Sequence, residues 1–370
     1  MKRTTPPFRA DHVGSLLRPQ RLLKARDDVA AGTLPAGELR AIEDDCIREV
    51  VRMQRDVGLQ SATDGEFRRG SWHMDFIYQL GGVTKVTENI KVQFRNESGT
   101  IEFTPSGIHV DAPITLDKTI FGEDFSFLKS IVETTPKQTI PSPSMVHYRG
   151  GRASIDEKVY PDLEQFWTDL SAAYAQEIRG LADLGATYVQ LDDTSLAYLN
   201  DPKQREQITA MGADGEHQHL RNIKQINEAL KDRPDGVTIT THLCRGNFRS
   251  SWVAEGGYDY VAEALFGDLA VDGFFLEFDD ARSGSFAPLR YVPPDKMVVL
   301  GLVTTKRPQL EDKDDLKRRI EEATRYVDID QLAISGQCGF SSTVDGNALT
   351  YDDQVAKLSL IVETAAEVWG

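Results

Sequence analysis

Cysteine is nearly absent from this chain: three residues in 370. So small and odd a count excludes a disulfide framework and points to a reducing compartment, so the expected location is cytoplasmic. Long apolar runs are missing as well. No stretch approaches the roughly eighteen uncharged apolar residues of a membrane span. The opening MKRTTPPFRADH has no apolar core of a secretory signal. Positive charge is short: 42 Lys and Arg against 58 Asp and Glu leave a formal net charge of −16. That excludes general nucleic-acid binding and an anionic membrane surface as partners. No internal repeat, low-complexity tract or linker interrupts the chain. Residues 1–370 read as one domain, a length that a parallel barrel with insertions reaches.

What is present is an alternation of strands and helices. FRADHVGS, LQSATDGE, KQTIPSPS, YVQLDD, VTITTHLC, GFFLEFD, MVVLGLV and QLAISGQC are eight candidate strands. Helical stretches separate several of them, at 38–57, 162–184, 217–231, 252–267 and 311–326, and another closes the chain at 351–368. In the first of these, Ile42, Cys46, Ile47, Val50, Val51 and Met53 follow helical spacing, which makes Cys46 a core residue. Strand–helix alternation predicts an α/β fold, a (β/α)8 TIM barrel. Residues 82–118 break the rhythm with alternating β pattern and turns at 96–99 and 105–107. They predict an antiparallel β-hairpin insertion after the second strand, near the barrel mouth.

Two of the three cysteines sit at strand ends. His242 and Cys244 close VTITTHLC two residues apart, on one face of a strand. Glu277 lies near the end of GFFLEFD, and Cys338 ends QLAISGQC. Side chains at the carboxyl ends of parallel barrel strands converge on one mouth. One imidazole, two thiols and a carboxylate form a zinc ligand set. A carboxylate in so apolar a strand needs a partner. Zn2+ is therefore the expected cofactor.

These motifs resemble the catalytic half of the cobalamin-independent methionine synthase family, in its short, single-barrel form. HxC at His242 and Cys244, Glu277 and the CG pair at Cys338 fall in the family's order. So do GSLLRP near the start, DGEF after the second strand and QLDD after the fourth. The resemblance covers most of the chain and implies a (β/α)8 barrel methyltransferase that alkylates a thiol, homocysteine first. It implies zinc ligands His242, Cys244, Glu277 and Cys338, with Glu277 as the exchangeable ligand and so the catalytic residue. It also implies an amino-acid site. Gly14 and Ser15 hold the substrate carboxylate and Glu66 and Asp192 its ammonium, while Asp193 faces the other way. Donors for one end and carboxylates for the other are what a zwitterion needs.

The departures concern the methyl donor, for which a folate, a methylated corrinoid protein and a methylated small molecule are the candidates. The full-length enzymes carry an N-terminal barrel with no counterpart in this sequence. The family's histidine acid gives way to LVTTKRPQLE, with Lys306 and Arg307 as candidate anion binders. Its folate-stacking Trp gives way to TIPSPSMVHYRG, where His147 and Tyr148 are candidates to face the donor. A donor whose leaving group needs no protonation, a methylcorrinoid or a sulfonium, is therefore expected to outperform methyltetrahydrofolate. Two other classes fit less well. An epoxide:coenzyme M transferase type needs cations where Glu66 and Asp192 stand. A uroporphyrinogen decarboxylase-like barrel gives no reason for the ligand set. Homo-oligomer formation is left open.

Overall fold

The computed structural model describes residues 3–87, 92–96, 99–103 and 107–370. The strands in chain order are β1 Ser61–Ala62, β2 Gly81–Val86, β3 Val92–Asn96, β4 Gly99–Phe103, β5 Gly107–Thr115 and β6 Thr135–Pro136. They continue with β7 Gln138–Pro141, β8 Tyr188–Asp193, β9 Thr238–Leu243, β10 Gly273–Glu277, β11 Met297–Val303 and β12 Leu332–Gly336. β7 to β12 pair in sequential order as one parallel sheet of six strands. β1 pairs with β6 in parallel, beside the start of β7.

Alternation along these strands divides the buried residues. Ile239, Leu243, Phe274, Leu276, Val298, Leu300 and Ile334 join the main core under the helices. Phe275, Met297, Val299 and Ala333 form a separate apolar cluster with Val13 on the opposite face. The helices cover the outer face by their own periodicity. In Leu163–Asp183, Phe166, Leu170, Tyr174, Ile178 and Leu181 are buried at spacings of three or four. Asp162 caps that helix by accepting from Glu164 N at 2.9 Å, and Gly185, at φ 94°, follows its end. Each fully buried Leu or Phe contributes roughly 1.5–3 kcal/mol.

Two expected strands are shorter than their sequence pattern. FRADHVGS enters the sheet through a single parallel bridge, Ala10 to Ile334, and LQSATDGE contributes only Ser61–Ala62. The reason is local. The Asp11 carboxylate accepts from Phe8 N at 3.1 Å and His12 N at 2.8 Å, taking up amides that a ladder would use. Among the described residues no bridge joins these two segments. Ser61 Oγ donates to Asp11 at 3.2 Å, Thr63 Oγ1 to Gly14 O at 2.6 Å, and Leu16 N to Gly65 O at 3.1 Å. The helix expected over 252–267 is confined to Ala262–Asp268. Trp252 instead exchanges backbone hydrogen bonds with Arg95, at 2.7 and 2.9 Å.

In the 82–118 segment, β2 pairs with β5 and β3 with β4, both antiparallel. The expected turns at 96–99 and 105–107 fall partly on 97–98 and 104–106, outside the described residues. Among the described residues no helix is long and apolar enough to cross a membrane.

Asp11 is the junction of this architecture. It also accepts from Tyr188 OH at 2.9 Å and from Lys137 Nζ at 3.2 Å, and the Asp11 and Lys137 side chains are fully buried. Lys137 lies over the rings of Phe275 and Tyr188 at 4.1 and 4.8 Å. Burial pulls its ammonium below the ordinary lysine range, and Asp11 opposes that shift. Asp11→Ala strands the buried ammonium and is expected to cost about 3–5 kcal/mol. Urea unfolding checks this, and Lys137→Met in the same chain should recover part of the loss. A cost under about 1 kcal/mol for Asp11→Ala would remove the junction role.

Candidate functional site

Strand register determines which side chains meet. Asp192 of β8 is the lateral partner of His242 in β9, and His242 that of Phe275 in β10. His242 points to the same face as Thr240, and Cys244 follows two residues on, just past the strand. Cys338 lies two residues beyond β12. Ligand atoms of His242, Cys244 and Cys338 lie within 4.8 Å of one another, all three residues buried. The two sulfurs are 3.4 Å apart and not bonded.

The side chains that converge here are of metal-ligating types. Both ring nitrogens of His242 and Oε2 of Glu277 are buried without a hydrogen-bond partner. The Cys338 thiol falls well below its usual range through its hydrogen bond with Cys244, against burial and with help from His242. The same hydrogen bond, with burial, drives Cys244 well above its range. The donor set fits zinc: imidazole nitrogen, two sulfurs and an oxygen with nothing else to bind.

Glu277 is fully buried but outside the compact group of three. Its Oε1 accepts from Arg245 N at 2.9 Å, and its carbonyl accepts from Arg245 Nη1 at 3.1 Å. Burial raises its pKa above the usual carboxylate range, with Lys306 and Arg245 opposing. Lys306 is buried against Asp279 at 3.2 Å, so it serves this network rather than an exposed anion site. Arg307 is exposed on the surface.

Above the sulfurs lies a cavity of about 460 Å³. His242, Cys244, Cys338, Ser15, Glu66 and Asp192 all line it. Glu66 sits at φ 61°, a left-handed conformation strained for a side-chain residue. Its Oε1 accepts from Thr139 Oγ1 at 2.9 Å, while Oε2 is buried without a partner. Burial pushes the Asp192 carboxyl up to about 7, with the charge of His242 opposing and that of Glu66 adding. Gly14 adopts φ 143°, and a Cβ there would stand 2.7 Å from Thr139 Cγ2, so only glycine lets this loop pass under β7. Phe340 N donates to Ser15 O at 2.9 Å, which holds the Cys338 loop beside Ser15.

Asp193 also borders the cavity, yet its oxygens are occupied by Ser144 Oγ, Ser195 Oγ and Leu196 N. His147 and Tyr148 do not line this cavity. His147 packs against Trp167 at 4.1 Å beside a separate cavity, and burial drives it to about 3, uncharged. Cys46 is core, with Arg21 Nε 3.2 Å from its sulfur.

Sequence reading missed the upper wall: Trp72, His73, Arg149, Tyr198 and Phe248 line the cavity. Their signal was present as aromatic residues in polar loops just after strand ends, in RRGSWH and CRGNF. Such loops build the active sites of barrel enzymes. Phe94 of β3 meets Phe248 with ring centroids 5.1 Å apart, so the 82–118 segment reaches the cavity's rim.

Comparison with known proteins agrees with this geometry. Residues 8–367 match the family model described as cobalamin-independent synthase, catalytic domain. The uncharacterized protein YxjG of Bacillus subtilis is 49% identical over 100% of this chain and 97% of its own length. Methionine synthase of Pyrococcus abyssi is 24% identical over 88% of this chain and 84% of its own. A putative vitamin-B12 independent methionine synthase from Listeria monocytogenes, of known structure, superimposes with a TM-score of 0.80 at 38% identity, covering 100% of both chains. A B12-independent methionine synthase from Shewanella, solved with selenomethionine, shares the fold at a TM-score of 0.73 and 19% identity, covering 97% of each chain. By its sequence, the site at its strand ends and its fold, this chain belongs to the cobalamin-independent methionine synthase family of methyltransferases.

Proposed function

We propose that residues 1–370 form one (β/α)8 barrel that transfers a methyl group to the sulfur of homocysteine, giving methionine, with zinc as cofactor. The observation that carries this reading is the meeting of His242, Cys244 and Cys338 within 4.8 Å at the floor of a cavity that also exposes Glu66 and Asp192. His242 and the two cysteines would hold the ion, and Glu277, with its unpartnered Oε2, would be the exchangeable fourth ligand. Bound zinc supplies the positive charge that lowers the acceptor thiol's pKa from ~8.5, so that sulfur is a nucleophile at neutral pH.

The chain's own groups do the rest. Ser15 and the backbone at Gly14 receive the amino-acid carboxylate. Glu66 and Asp192, on adjoining walls, receive the ammonium. That incoming cation relieves the mutual repulsion that helps hold Asp192 near 7. Held at both ends, the substrate presents its sulfur to the floor, and the cavity aligns it with the donor methyl. The new sulfur–carbon bond forms as the donor's methyl bond breaks, and the bonding pair leaves with the demethylated donor. Arg245 keeps Glu277 oriented through both backbone and side chain.

Two measurements test this. Purified protein should contain one zinc per chain, and Cys244→Ser or Cys338→Ser should lose most of it together with methyl transfer, at unchanged far-UV circular dichroism. Wild-type zinc and turnover in both variants would contradict the ligand assignment. Separately, Glu66→Gln and Asp192→Asn should each weaken homocysteine binding by about 1.5–3 kcal/mol, a factor of roughly 10 to 150, with zinc retained. Homocysteine affinity unaltered in both variants would end the amino-acid reading.

A further inference from the structure

Arg18, the cation of the GSLLRP motif, takes no part in the proposed function. Ser15 of that motif lines the cavity, whereas Arg18 is buried behind the wall, 6% exposed. Among the described residues its guanidinium joins no ion pair. Its partners are four backbone carbonyls and one hydroxyl. Nη2 donates to Glu66 O and Arg69 O, both at 2.9 Å. Nη1 donates to Ser341 O at 3.0 Å, Ser341 Oγ at 2.8 Å and Thr343 O at 2.9 Å. One arm of the fork therefore grips the loop after β1 and the other the loop after β12. These are the loops that carry Glu66 and Cys338.

The same two loops also pair directly. Ser71 bridges Thr343, and Trp72 N donates to Ser342 O at 3.2 Å. Ser342 and Thr343 line the cavity together with Cys338 and Glu66.

This grip accounts for the backbone of Glu66. Its φ of 61° is left-handed, a conformation that a side-chain residue keeps only where its surroundings impose it. The Glu66 amide donates to Asp64 Oδ1 at 2.8 Å, and the Glu66 carbonyl accepts from Arg18 and from Arg69 N at 3.0 Å. Hydrogen bonds on both sides of the residue fix the direction of its side chain. The carboxylate then lines the cavity with Oε2 unpartnered.

We propose that Arg18 is a positioning residue: through backbone carbonyls it sets the spacing between Glu66 and the loop of Cys338. The role rests on the reading of Glu66 as the receiver of the substrate ammonium. A guanidinium suits this task because its five donors lie in one rigid plane. A lysine ammonium keeps the charge but donates from a single point, so it cannot span both loops. Arg18 would contact neither thiol nor ion, so its loss should fall on the ligand group that Glu66 receives.

Arg18→Lys tests this in the zinc-loaded protein, titrated calorimetrically with homocysteine and with 2-mercaptoethanol, a thiol that lacks the amino-acid end. Homocysteine affinity should fall roughly 10-fold, with 2-mercaptoethanol affinity and zinc content at wild-type values. Combining Arg18→Lys with Glu66→Gln closes a double-mutant cycle. Because Arg18 acts through Glu66, the double variant should bind homocysteine no more weakly than Glu66→Gln alone. A purely structural residue would instead lower the thermal unfolding midpoint with affinity intact, or weaken both thiols alike. Should Arg18→Lys fail to fold, Ser341→Ala takes its place, removing only the hydroxyl acceptor. Homocysteine alone should then weaken, about two- to threefold. Unchanged homocysteine affinity, equal losses for both thiols, or additive losses in the double variant would each overturn the role of Arg18. Wild type that binds neither zinc nor homocysteine would overturn the proposed function and this role with it. Wild type that binds both, with the Arg18 variant unaltered, overturns this role only.

Discussion

A buried carboxylate holds this fold together at its weakest seam. Asp11 accepts from five donors drawn from four stretches of chain: Phe8 N, His12 N, Ser61 Oγ, Lys137 Nζ and Tyr188 OH. It stands where the first two strand segments make the least backbone pairing, so side-chain bonds replace a ladder. A buried ion pair is specific because a misplaced partner leaves an uncompensated charge. The consequence reaches the site, since the chain runs from Asp11 directly into Val13, Gly14 and Ser15. Fixing Asp11 against β7 and β8 fixes the loop that passes beneath Thr139 and beside Gly339.

The site itself is a pocket rich in acidic side chains. Two sulfurs and the carboxyls of Glu66 and Asp192 line it, Arg69 stands 3.5 Å from Glu66, and the buried Glu277 carboxyl behind them is countered by Lys306 and Arg245. Burial and mutual repulsion push most of these acids toward their protonated forms, and only Cys338 among them is shifted the other way. In the proposed function an ion at the sulfurs and an ammonium between Glu66 and Asp192 would offset these acids. Arg149, Trp72 and Phe248 line the same cavity.

Loops, rather than strands, supply that upper half. Arg95 of β3 exchanges backbone hydrogen bonds with Trp252, and Asn96 donates to Ser251 Oγ at 2.9 Å. The insertion and the loop after β9 therefore brace each other over the opening. Contacts of this kind join residues more than 150 positions apart and leave little periodic trace in the sequence.

The sequence alone determined the period-two apolar runs, the helices between them and the chemistry at the strand ends. The meeting of His242, Cys244 and Cys338 was legible because few residue types can ligate a metal and each stood at the end of a recognisable strand. Gly14, Ser15, Glu66 and Asp192 were legible only through their motifs, since a carboxylate in a loop has no period. Tertiary structure decided what pairing across the sheet decides. It set Asp192 beside His242, put Glu277 outside the compact metal group, and sank Lys306 against Asp279. It also cut the first strand to one bridge, because the Asp11 side chain competes for the amides a strand would donate. The wall of Trp72, Arg149 and Phe248 exists only when three loops meet. Local pattern specifies elements, but side chains from different loops become neighbours only through long-range packing.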